Sequence, residues 1–112
     1  MYPKTIFIGL VSSLALANAA IVDLFADQNC ETPAGSRNVY DDSCAPLGGF
    51  QSFRVTYQGG NGQYLTAYSP NNCNGGQTAC ISAQGDYGCH KAVNSRGGSN
   101  AMSSGHGCSG TV

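Results

Sequence analysis

Tryptophan is absent from this chain, glutamate occurs once, at Glu31, and lysine and arginine together number only five. Those five cations, Lys4, Arg37, Arg54, Lys91 and Arg96, are scattered along the sequence. No basic cluster exists to hold a phosphate backbone or an anionic membrane surface, so neither nucleic acid nor lipid is an expected partner. Histidine occurs twice, at His90 and His106, without H-x3-5-H spacing, and no C-x-x-C pair is present, which argues against a zinc site. Neither G-x-S-x-G nor H-E-x-x-H occurs, so the local signatures of a serine hydrolase and of a zinc protease are both missing. The N-x-S/T acceptor for N-glycosylation is missing too. After the N-terminal region no apolar stretch is long enough to span a bilayer, and no stable membrane insertion is expected.

What the N-terminus does contain reads as an export signal. Lys4 gives a positive start, residues 6–16 form an apolar run of 11, and Ala17-Asn18-Ala19 is an A-x-A exit of small residues. Residues 1–19 are thus expected to be a signal peptide and the protein to be secreted to the extracellular space. Cleavage after Ala19 would leave residues 20–112 as a single cysteine-rich domain of 93 residues. A domain of that size buries a modest fraction of its surface and is marginal on its core alone.

The six cysteines, Cys30, Cys44, Cys73, Cys80, Cys89 and Cys108, all follow the signal. An even number in an exported chain predicts three disulfides, each contributing about 2–4 kcal/mol. Full pairing leaves no thiol to act as a nucleophile.

The domain reads as all-β. Residues 51–57 alternate, with Phe53, Val55 and Tyr57 on one face and Ser52, Arg54 and Thr56 on the other. Gly59-Gly60-Asn61-Gly62 breaks the pattern and residues 63–68 resume it, which predicts a hairpin with a glycine-rich loop. Further strands are expected at residues 21–25, 37–40, 79–83 and 90–94. Glycine and asparagine are too frequent for long helices. Residues 95–112 read as a Gly/Ser-rich tail tied back by Cys108.

An internal repeat runs through this pattern. Residues 22–30 align with residues 65–73 at an offset of 43, placing Phe25 on Tyr68 and Cys30 on Cys73. Ser52 falls on Ser95 at the same offset, and Cys44 corresponds to Cys89 after a two-residue insertion. Repeat logic suggests Cys30–Cys44, Cys73–Cys89 and Cys80–Cys108, one of fifteen possible connectivities.

Tyr68-x4-Cys73-x-Gly75 resembles the Greek-key motif of the βγ-crystallins, with cysteine where that family usually has an aromatic. Phe25-x4-Cys30 fits the first half of the motif, with Thr32 where glycine is expected. The resemblance spans roughly residues 21–100 and implies a Greek-key sandwich of two four-stranded motifs. It also implies a serine in each last strand lying over the folded first hairpin, a place for Ser52 and, less closely, Ser95. Many members bind calcium through two Asn/Asp, two free positions and Ser/Thr-Ser. Asp41 and Asp42 begin such a run, and Ala45-Pro46 ends it differently.

Catalytic readings find little footing. Asp41, Asp42 and Asp86 offer carboxylates for glycoside cleavage, but their spacing selects no pair. Glu31, Arg37, Arg54, His90 and His106 supply the residue types of a small secreted ribonuclease. No catalytic set and no cofactor is expected. Tyr40, Tyr64 and Tyr87, with Tyr57 and Tyr68, are candidates for contact surfaces, because tyrosine pairs a large apolar ring with a hydroxyl. The whole chain resembles fungal small secreted cysteine-rich proteins, a class of virulence effectors, elicitors and antifungal or killer toxins. That likeness implies a non-enzymatic monomer recognising a protein or glycan target in a host, with an antimicrobial toxin as the alternative and a ribonuclease third.

Overall fold

The computed structural model of the chain describes residues 18–108. The signal-peptide reading, apart from Asn18 and Ala19, lies outside the described residues, as do the last four residues of the expected tail. Eight strands follow one another: β1 (Ala19–Phe25), β2 (Pro33–Tyr40), β3 (Ser43–Phe50), β4 (Ser52–Tyr57), β5 (Tyr64–Tyr68), β6 (Gln77–Ser82), β7 (Cys89–Lys91) and β8 (Ser99–Gly105). No helix occurs among the described residues, and so none is present there that could cross a membrane.

The strands form two antiparallel four-stranded sheets, ordered β2-β1-β4-β7 and β3-β8-β5-β6. Advancing each strand number of the first sheet by four, and counting on from β8 to β1 so that β7 becomes β3, gives the second read backwards. Each sheet therefore holds three strands from one half of the chain and the third strand of the other half. The pairing registers obey the same relation. Phe25 lies opposite Ser52 and Leu24 opposite Phe53, as Tyr68 lies opposite Ala101 and Ala67 opposite Met102.

One core lies between the sheets. In β1 the inward positions Ala20, Val22 and Leu24 are buried while Ala19, Ile21 and Asp23 face outward. Phe50, Phe53, Val55, Leu65, Ala67 and Met102 complete the centre, with Phe50 and Phe53 meeting edge to face at 6.4 Å. The outward aromatic of each half is buried as well. Phe25 sits under the Arg54 guanidinium, 5.7 Å from the ring centroid, and Tyr68 bonds Ser103 Oγ through its hydroxyl at 3.0 Å.

Several sequence expectations are corrected. β4 and β5 belong to different sheets and do not form the predicted hairpin; the hairpins are β1–β2 and β5–β6. The glycine-rich segment between β4 and β5 packs against β1. A Cβ on Gly59 would come within 2.8 Å of the Ala20 nitrogen, at a φ of +74°. Tyr57 does not share the face of Phe53 and Val55. The register shift between Ile21 and Val22 pairs Tyr57 with the outward Ile21, leaving the ring 53% exposed.

Two strands were illegible in the sequence. β3 carries Pro46 and Gly48-Gly49, which break alternation, and it is tolerated because it lies at a sheet edge. β8 occupies the segment read as a Gly/Ser tail and is an interior strand with Ser99, Ala101, Met102, Ser103 and Ser104 buried.

The disulfides are Cys30–Cys89, Cys44–Cys73 and Cys80–Cys108. The last is as expected; the first two replace the Cys30–Cys44 and Cys73–Cys89 pairs. The equivalence of Cys30 with Cys73 and of Cys44 with Cys89 survives, since Cys89 lies opposite Arg54 as Cys44 lies opposite Ser103. Bridges run between the halves because strand exchange carries β7 beside the hairpin loop of the first half, and β3 beside that of the second. Each of these two bridges fastens an exchanged edge strand to its host sheet.

Candidate functional site

The hairpin loops are braced from their own sheets. In the first, Ser52 Oγ donates to the Asp27 carbonyl at 2.6 Å and accepts from the Cys30 amide at 3.0 Å. The Asp27 carboxylate accepts from the amides of Thr32, Glu31 and Asn29 at 2.8, 2.9 and 3.0 Å. These N–H groups, Thr32 first, hold its carboxyl below the ordinary carboxylate value. The second loop is held differently. The position equivalent to Ser52 is Ala101, not Ser95, which lies in the turn before β8. The adjacent Asn100 Nδ2 donates to the Ser69 carbonyl at 2.7 Å.

Beside Asn100 the two-fold relation breaks down. Pro46 pairs with Ala101 and Phe50 with Ser99, so Leu47, Gly48 and Gly49 of β3 stand against Asn100 alone in β8. Three residues opposing one push β3 outward and interrupt the ladder. The related strand β7 ends before this point: Cys89, His90 and Lys91 pair with Arg54, Phe53 and Ser52 as Cys44, Ala45 and Pro46 pair with Ser103, Met102 and Ala101. The bulge opens a cleft of about 360 Å³ lined by Ala26, Gly49, Phe50, Gln51, Gly98, Ser99 and Asn100. Gly98 allows the close approach of β8, because a Cβ there would lie 2.7 Å from the Phe50 carbonyl oxygen. Sequence reasoning missed this cleft; its trace was the Gly48-Gly49 and Gly97-Gly98 pairs.

The candidates named from sequence are dispersed. Tyr40, opposite Ala19, and Tyr57, opposite Ile21, share the outer face of their sheet and are about half exposed. Tyr64 lies on the other sheet, opposite Ser82 and Gly105, and Tyr87 precedes β7. Tyr68 is fully buried.

Asp41 and Asp42 form the turn between β2 and β3, where the chain crosses from one sheet to the other. Asp41 Oδ1 accepts from the Gly60 amide at 3.3 Å, and Asp42 Oδ1 lies 3.4 Å from Gln63 Nε2 and 3.6 Å from His106 Nε2. These carboxylates face N–H donors, and no group of three metal-ligating side chains forms among the described residues. His90 packs on Phe53 with ring centroids 5.6 Å apart and meets Asp86 Oδ1 at 3.0 Å. That bond, followed by the Gly88 amide, lowers the Asp86 pKa. Arg54 and His90 sit at consecutive positions of the β4–β7 ladder and so face opposite sides of the sheet.

No family model matches this chain, and no curated protein or solved structure matches it.

Proposed function

We propose that this chain is a secreted, non-enzymatic binding protein, a host-directed effector or elicitor that presents a rigid surface to an extracellular or host protein or glycan. The observation that carries the reading is the disulfide arrangement. All six cysteines are paired, and two bridges lock the exchanged strands onto their sheets. Such bridges persist where the surroundings are oxidising, and the A-x-A exit after an apolar run supports export to such a place. The half-exposed Tyr40 and Tyr57 and the cleft beside Asn100 provide the surface.

The strand exchange, the Ser52 brace over the first hairpin and the Phe25-to-Cys30 spacing support a crystallin-like double Greek key as the frame. A ribonuclease draws no support from Arg54 and His90, which face apart. The test is to infiltrate host tissue with oxidised protein collected from culture fluid. A defence response provoked or suppressed supports the reading. Inertness there together with inhibition of microbial growth would move the protein to the antimicrobial or killer-toxin class.

A further inference from the structure

We infer that the cleft at the β3 bulge binds a neutral saccharide, a proposal that rests on the binding-protein reading above and names the ligand class. The bulge lies beyond the part of β3 that β7 matches: β7 ends at Lys91 opposite Ser52, as Pro46 lies opposite Ala101, whereas β3 runs on through the bulge to Phe50 opposite Ser99. The cavity thus opens beside the extra length of β3 that the other half of the fold does not have. Of the three residues opposite Asn100, Gly49 lines the opening and, having no side chain, exposes its main chain there. The lining adds amides: Asn100 Oδ1 receives no hydrogen bond among the described residues, and the Gln51 side chain makes only a 3.5 Å contact there, accepting from Gln28 Nε2 through Oε1.

Among the described residues no charged side chain lines the cleft. A phosphate or carboxylate would meet no cation there, and a cation no carboxylate. A sugar hydroxyl both donates and accepts, as an amide side chain does, and the matching pair can form two bonds. Ala26 is the exposed apolar side chain of the lining, a small patch for the C–H face of a ring; the Phe50 side chain is buried in the core and closes the cleft from beneath. The volume, about 360 Å³, falls within the range of small-ligand sites, roughly 300–1,000 Å³. An extended peptide would instead need a longer open edge than this interrupted stretch of β3 provides.

Gly49 makes the idea testable without disturbing the frame. A Cβ there meets nothing nearer than Asn100 Oδ1 at 3.8 Å, and its φ lies outside the left-handed region. Gly49→Leu should keep the melting temperature and fill the opening. The oxidised full chain is to be applied to an array of neutral oligosaccharides (chito-, gluco-, manno-, galacto- and xylo-series) beside polygalacturonate and heparin. The best soluble oligosaccharide is then titrated by amide NMR.

The expected result is binding to a neutral series, with shifts centred on Gly49, Gln51, Gly98 and Asn100. Gly49→Leu should weaken it by about tenfold or more, and Gln51→Ala by about fivefold, the loss of one neutral hydrogen bond. Absence of any neutral binder, preference for the anionic polymers, or undiminished binding by Gly49→Leu would overturn the proposal. If Gly49→Leu still acts on host tissue like the wild type, the binding-protein reading stands and the cleft assignment alone falls.

Discussion

Which cysteine pairs can be removed together is a sharp consequence of the bridges between the halves. Cys44–Cys73 is nested inside the loop closed by Cys30–Cys89, whose ends are 59 residues apart. With the inner bridge intact, the outer one closes an effective loop of only about 30 residues of chain, worth about 3.7 kcal/mol by loop-closure entropy. The doubly substituted Cys30→Ala/Cys89→Ala protein should therefore lose about 3–4 kcal/mol, or a fall in melting temperature of roughly 15–30 °C for a domain of this size. Cys30→Ala/Cys44→Ala removes the same number of thiols but breaks both nested bridges, at a cost of about 7 kcal/mol, comparable with the whole stability of many domains. Urea titration of both proteins, with free-thiol counting, measures the difference. The reverse order, with Cys30→Ala/Cys44→Ala the more stable, would refute the nested connectivity and the strand exchange that explains it.

Three further perturbations probe the frame. Ser52→Ala strands the Cys30 amide and the Asp27 carbonyl, and should cost about 1–3 kcal/mol in denaturant titration; no measurable loss would show that the loop does not depend on this hydroxyl. Gly59→Ala drives a Cβ into the Ala19–Ala20 backbone at positive φ and should destabilise by about 2 kcal/mol. Gly105→Ala, with open space around it, should stay within about 0.5 kcal/mol of the wild type. Because the folded Asp27 carboxyl is held below its ordinary value, its contribution is complete above the unfolded pKa and disappears as pH falls through the folded one. Asp27→Asn should therefore flatten the acid limb of the stability–pH curve below the ordinary carboxylate value near 3.8, and an unchanged limb would contradict this.

The period-two pattern gave strands wherever a strand has one buried face and few glycines, as in β1 and β4. It failed at β8, where small serine, alanine and methionine side chains are buried on both faces and leave no polar–apolar alternation. It failed at β3, where Pro46 and the glycines satisfy an edge position and a bulge rather than a pleat. The cleft escaped notice for the same reason. Glycine pairs signal freedom of the backbone without saying which other strand will take advantage of it. The exposed Tyr40 and Tyr57 were visible as residue types; their shared face was not, because it depends on the register shift opposite Ile21.

The sequence by itself determined that this is a β domain with three disulfides, and it carried the repeat that makes Cys30 equivalent to Cys73 and Cys44 to Cys89. These are properties of composition, local alternation and spacing, which a linear chain displays directly. Only the tertiary structure decided which cysteine meets which, because a pair that is equivalent by repetition can close within a half or across halves, and both choices keep the two-fold relation. Exchange of β3 and β7 between the sheets selected the second. Partner choice at a distance is a matter of which edges come together in space, and no local pattern of side chains encodes it.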